Sequence, residues 1–241
     1  MRLTLDSQWK KVLLVLAVVP LTACTLSQLE SGPASSNSGG GSSGKSPSTT
    51  TAFSPSSDAR RDLRDALRKL NSAYPYRLTE TASATANGQM AMPESTRVVE
   101  FAAADQSHMK WTGGPGGDVE AISIGDKHYW FENGKWTAGT VPSSGGENRA
   151  EDFAKKLAEM VKEVKYLGPE TINGAACHAY SFTLETTMAG QNYTGTGKVW
   201  IGAADGLPRQ SDSEFKVATY AHKSHIVYEY NADFKVEKPS M

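Results

Sequence analysis

The 241-residue chain has little that catalysis or metal binding would need. It has two cysteines, Cys24 and Cys177, and five histidines, His108, His128, His178, His222 and His225. There is no H-E-x-x-H motif, no cysteine cluster and no plausible Ser-His-Asp arrangement, and the carboxylates show no spacing that marks an acid/base pair. The expectation is therefore a non-enzyme with no metal and no cofactor. His222 and His225 lie three apart in A-H-K-S-H, a spacing that suits one helical face rather than a strand, and they read as solvated turn or strand-end side chains. Basic residues do not exceed acidic ones, which argues against a nucleic-acid binder. No apolar run reaches the roughly 20 residues that span a bilayer.

What apolar run there is stands at the N-terminus. Arg2, Lys10 and Lys11 form a positive segment, Val12 to Val19 is uninterruptedly apolar, Pro20 stops it, and Leu21-Thr22-Ala23-Cys24 follows. The order is that of a removable export signal. The last four residues resemble the bacterial lipobox, Leu-(Ala/Ser/Thr)-(Gly/Ala)-Cys. The resemblance implies cleavage before Cys24, a diacylglycerol on its sulfur and an acyl chain, such as palmitate, on the new N-terminus. Two acyl chains already suffice for stable anchoring. Thr25 is not the Asp that favours inner-membrane retention in enterobacterial lipoproteins, so the expectation leans to the outer membrane of a Gram-negative envelope. Removing residues 1–23 takes away three basic residues and one acidic one, which leaves 22 against 25 and a net charge near −3. With Cys24 lipidated, Cys177 has no partner and reads as a small buried apolar residue.

Residues 24–57 are Gly/Ser/Thr-rich, with almost no large apolar side chains to bury. A flexible chain of this length spans roughly 30 Å on average and about 110 Å when stretched. Gly40-Gly41-Ser42-Ser43-Gly44 fits G-x-S-x-G, and the glycines at 39, 41 and 44 fit a dinucleotide fingerprint. Neither follows a strand or opens a helix, so both are chance. The sequon at Asn192 is read the same way.

Residues 58–241 remain as one domain. Ser57 can cap a helix whose Ala59, Leu63, Ala66, Leu67 and Leu70 share one face, with Pro75 ending it. The period then changes to two. Asn-Gly pairs at 87–88, 133–134 and 173–174, and Gly125-Asp126, predict tight hairpins. Their registers set Ile122 opposite Tyr129, Phe131 opposite Trp136 and Glu132 opposite Lys135, and put Leu167 on the face of Tyr180. Ile122, Ile124, Tyr129, Phe131 and Trp136 then collect on one face, read as the face toward a core or cavity. Ser123, His128, Glu132 and Lys135 collect on the other, read as the wet face, where Trp130 is a misfit that something must cover. A second helix is expected from Asn148 to Val164 on the stripe Ala150, Phe153, Leu157, Met160, Val161 and Val164. The fold class expected is α+β: about 9–11 antiparallel strands in a strongly curved sheet, a half-barrel, with two helices covering its concave mouth.

In the C-terminal half, Gly174-x-x-Cys177-His178-x-Tyr180-x-Phe182 is followed by Lys198-Val199-Trp200-Ile201-Gly202 and Asp205-Gly206-Leu207-Pro208-Arg209-Gln210. Tyr228-x-Tyr230-x-x-Asp233-Phe234-x-Val236 comes last. This series resembles the LolA/LolB and LppX/LprG-like superfamily of lipoprotein carriers, lipoprotein receptors and lipid-binding envelope lipoproteins. The resemblance implies a half-barrel closed by helices. The protruding apolar loop of the LolB receptor type is absent.

Two functions of different class follow. The first is an anchored envelope lipoprotein that holds a lipid or acyl chain against Ile122, Ile124, Tyr129, Phe131, Trp136, Tyr180 and Phe182, each buried methylene being worth about 0.8 kcal/mol. The same residues could instead pack the helices and leave no cavity. The second is a non-catalytic scaffold or accessory subunit with a protein partner.

Overall fold

A computed structural model describes residues 52–70, 72–114, 116–132, 134–140, 160–188, 191–230 and 233–241. The lipobox, Cys24 and most of the linker lie outside these residues.

The chain opens with helix α1 (Ala59–Leu70). Asp58, rather than Ser57, caps it: its Oδ1 accepts the Arg61 amide at 3.0 Å. Arg68 and Lys69 sit in the last turn, where cations suit the helix dipole. Leu63, Ala66 and Leu70 are buried as the period predicts, and Asp62 is buried with them.

Eleven strands follow among the described residues: β1 (Tyr76–Ala86), β2 (Gln89–Ala103), β3 (Gln106–Thr112), β4 (Val119–Ile124), β5 (Lys127–Glu132), β6 (Lys135–Thr140), β7 (Val161–Ile172), β8 (Ala175–Met188), β9 (Gln191–Gly202), β10 (Pro208–Val217) and β11 (Tyr220–Tyr230). They form one open, curved antiparallel sheet in the order β6-β5-β4-β3-β2-β1-β11-β10-β9-β8-β7. Every neighbour is a hairpin partner except β1 and β11, which pair at the centre along their whole length. The sheet edges are β6 and β7, so the chain between 140 and 161 joins opposite edges.

Around Gly125-Asp126 and Asn133-Gly134 the hairpin registers are those the turns predict. Ile122 pairs with Tyr129, Phe131 with Trp136 and Glu132 with Lys135. Asn87-Gly88 and Asn173-Gly174 both hold positive φ at two consecutive positions, the type I′ requirement. One tight turn carries no such signal. Ala218-Thr219 joins β10 to β11 with Ala218 at φ 50°.

Two expectations are corrected at β7. The expected helix from Asn148 to Val164 ends in a strand: Val161 begins β7, while Ala150, Phe153 and Leu157 lie outside the described residues. α1 is the one helix whose full range lies among the described residues, and Met160, just before β7, is also helical. Val161 and Val164 do share a face, but through a bulge. Val161 pairs with Leu184, Glu163 with Thr183 and Val164 with Phe182, so Lys162 is extra. A bulge turns the strand period of two into a local spacing of three, which imitates a helix. A second bulge moves Leu167 out of register. Tyr166, not Leu167, pairs with Tyr180, and Leu167 is exposed.

Candidate functional site

One face of the sheet receives α1. Leu63 and Ala66 pack with Tyr180, Val199 and Ile201, and Leu70 packs with Tyr76, Leu78, Val99, Phe101 and Tyr228. A third buried cluster on the same face comprises Ala82, Ala84, Met92, Val217 and Tyr220, with Trp111 and Tyr193 against it. Among the described residues that cluster is built from strands alone.

Aromatic rings lie along this face over glycines. A Cβ on Gly195 would stand 2.7 Å from the Phe215 ring, and one on Gly197 would overlap the Phe182 ring. Bare backbone at these two positions is what lets the rings lie flat. Trp130 uses the same device over Gly139 and stacks on His128 at 5.9 Å.

Four polar side chains, Glu80, Ser95, Arg97 and Ser224, are buried in the middle of the face. Arg97 on β2 ion-pairs with Glu80 opposite it on β1, and Ser224 on β11 donates to Glu80 Oε1 at 2.6 Å. His222, two residues from Ser224, faces the same side. Burial lowers its pKa, with Glu80 opposing that shift and Arg97 adding to it. Under the helix, Tyr180 donates to Asp62 Oδ2 at 3.0 Å, and the Ser56 amide donates to the same oxygen at 2.9 Å. Burial first, then this hydrogen bond, raises the Tyr180 phenol well above its ordinary range. Phe53, which composition assigns to the linker, packs beside Leu63, and its amide bonds Ala203 O at 2.8 Å.

The seven expected ligand residues do not share one surface. Tyr180 and Phe182 stand on the helix face. Ile122 pairs with His108, His108 with Glu100 and Glu100 with Arg77, which alternates with the inward Tyr76 and Leu78. Ile122, Ile124, Tyr129, Phe131 and Trp136 are therefore on the opposite face. The face expected to be wet, with Ser123, His128 and Trp130, continues through Ala121 and Met109 into the core beneath α1. Alternation sorts side chains into two sets, and strands far along the chain decide which set is covered. Ile122 and Tyr129 are still buried, while Phe131 is 37% exposed with Trp136 at 5.3 Å.

The opposite face carries a second buried apolar cluster, Cys177, Ala179 and Trp200, and several polar pairs. Arg77 holds Glu100 at 2.6 Å, and His108 holds Glu120 at 2.7 Å. A cavity of about 520 Å³ there is lined by Thr81, Ser83, Glu94, Lys198, Asp212 and Lys223, among others. His225 faces it and meets Asp212 at 2.5 Å. His222 and His225 are thus mid-strand on opposite faces rather than in a turn, with His225 exposed as expected and His222 partly buried.

No family model matches the chain, and no curated protein does. Among solved structures it is similar to LprF from Mycobacterium bovis, with 12% identity and a TM-score of 0.49 over 78% of this chain and 100% of that one. It is also similar to the lipoprotein LppX from Mycobacterium tuberculosis, with 12% identity and a TM-score of 0.48 over 74% of this chain and 98% of that one. At this distance neither says what this chain binds.

Sequence reasoning missed Glu80, Arg97 and Ser224, because their meeting depends on three strands, two of them 144 residues apart. Asp62 had a signal. It lies three residues after Ala59 and four before Ala66, inside the apolar stripe, where an acid needs a partner.

Proposed function

We propose that this chain is a lipid-anchored envelope protein that binds an apolar ligand, a lipid or acyl chain, on the helix face of a half-barrel sheet. The supporting observation is the cluster of Ala82, Ala84, Met92, Val217 and Tyr220, which is apolar and buried yet contains no residue of α1. Tyr180 and Phe182 extend the same face beneath the helix. In this reading residues 1–23 are the export signal, Cys24 carries the lipid, 24–57 tether the domain with Phe53 docked back on it, and 58–241 form the half-barrel. The anchor holds it in the outer membrane of a Gram-negative envelope. The role is holding and release, without a reaction.

Native mass spectrometry of the mature chain, purified without detergent and followed by organic extraction, tests this. A co-purifying lipid that is lost in a folded Met92→Gln variant is the expected result. A clean apo mass with no uptake of added fatty acid or phospholipid overturns it.

A second reading, a docking surface for an envelope protein, is favoured by one observation. Phe131 and Trp136 form a partly exposed aromatic pair on the face away from α1. Cross-linking from position 131 in intact cells tests it, and absence of any adduct counts against it.

A further inference from the structure

Tyr220 is 8% exposed, and among the described residues its hydroxyl meets no hydrogen-bond partner. A buried hydroxyl without a partner is costly, and folded proteins keep few of them. Tyr220, His222 and Ser224 occupy alternate positions of β11 on the helix face, about 7 Å apart at the rise of a strand. Opposite them on β1 stand Ala86, Ala84 and Ala82, which fill little of the space above the sheet. The Tyr220 phenol therefore lies in the apolar cluster that the strands build without α1.

We propose that the Tyr220 hydroxyl is a polar subsite for the bound ligand, donating to an uncharged acceptor on an otherwise apolar molecule, an ester or amide carbonyl. This rests on the apolar-ligand reading above and names the group that the ligand carries. The choice of an uncharged group follows from the surrounding charges. The Arg97 guanidinium is neutralised by Glu80, and the Ser224 hydroxyl already donates to that carboxylate. Burial keeps the neighbouring His222 neutral at pH 7. A carboxylate or phosphate brought here would lose its hydration and find no free countercharge among the described residues, whereas a carbonyl needs only one donor.

Three pyrene probes of equal chain length test this: dodecylpyrene, methyl pyrenedodecanoate and pyrenedodecanoic acid. They are titrated by fluorescence into residues 24–241 carrying Cys24→Ser, so that no lipid is attached. The methyl ester is expected to bind tightest. Tyr220→Phe, which keeps the ring, is expected to weaken the ester about two- to tenfold and leave dodecylpyrene unchanged. Ester and hydrocarbon binding alike, or an ester affinity that Tyr220→Phe does not move, overturns the subsite and leaves the apolar-ligand reading standing. Tightest binding of the acid overturns the charge argument and with it the subsite. No binding of any probe overturns both. A thermal melt of Tyr220→Phe confirms that the variant compared is folded.

Discussion

Arg97 on β2 stands directly opposite Glu80 on β1, both buried on the face that α1 packs against, and Ser224 on β11 grips the same carboxylate from the other side. Three strands are tied by one carboxylate at the centre of the sheet, where β11 returns to meet β1. Glu80→Ala strands a buried guanidinium and is expected to cost about 3–5 kcal/mol in urea unfolding, whereas Glu80→Leu with Arg97→Met is expected to restore most of it. A double variant no more stable than Glu80→Ala would show that the pair contributes more than its mutual neutralisation.

Tyr180 joins the sheet to the helix through Asp62. Tyr180→Phe removes one of two donors to a buried carboxylate oxygen and is expected to destabilise the fold by about 1.5–3 kcal/mol. Hydrogen exchange is expected to rise in α1 before it rises in the sheet. Uniform loss of protection would mean that α1 is not docked through this contact.

Gly197 and Phe182 form a matched pair. Gly197→Ala drives a methyl into the Phe182 ring and toward the Asp212 carbonyl, and is expected to cost about 1–3 kcal/mol. Phe182→Leu in the same chain is expected to relieve part of this. Additive losses in the double variant would show the two side chains to be uncoupled.

His222 gives stability a pH dependence of definite sign. Its folded pKa lies below the ordinary value because burial disfavours the imidazolium. The unfolded chain therefore takes up the proton first, near pH 6.5. The contribution from neutral His222 is complete above that pH and declines as pH falls toward the folded value. Melting temperature is expected to drop between pH 7.5 and about 5, and His222→Gln to flatten that part of the curve. An unchanged slope would assign it to other groups.

Ala218 occupies left-handed backbone at φ 50°, where a Cβ is strained by about 1–2 kcal/mol. Glycine relieves that strain but loses more chain entropy. Ala218→Gly is expected to gain up to about 1 kcal/mol. A loss in stability would place the turn's optimum elsewhere.

Much of the fold was legible in local sequence. Asn87-Gly88 and Asn173-Gly174 announced their hairpins because two-residue turns demand positive φ, which Asn and Gly tolerate. Ala218-Thr219 was silent because Ala adopts that conformation only under tertiary pressure. The candidate site was legible in part. Tyr180 and Phe182 lie on the helix face, but Ile122, Ile124, Tyr129, Phe131 and Trp136 lie on the other. Two bulges misled the reading of β7. At Lys162 an extra residue gave Val161 and Val164 a helix-like spacing that extended the expected helix too far, and at Leu167 another replaced the expected partner of Tyr180 with Tyr166.

The sequence by itself determined the α1 stripe, the strand-rich body and the register next to the Gly125-Asp126 and Asn133-Gly134 turns. These depend on residues a few positions apart, and turn stereochemistry binds them locally. Only the tertiary structure decided that β11 closes against β1, that Glu80 meets Arg97 and Ser224, and which face of β4, β5 and β6 continues the core. A strand is amphipathic to its neighbours by alternation alone, but burial is a property of what packs against a face. Here that is settled by pairings between residues as far apart as Glu80 and Ser224.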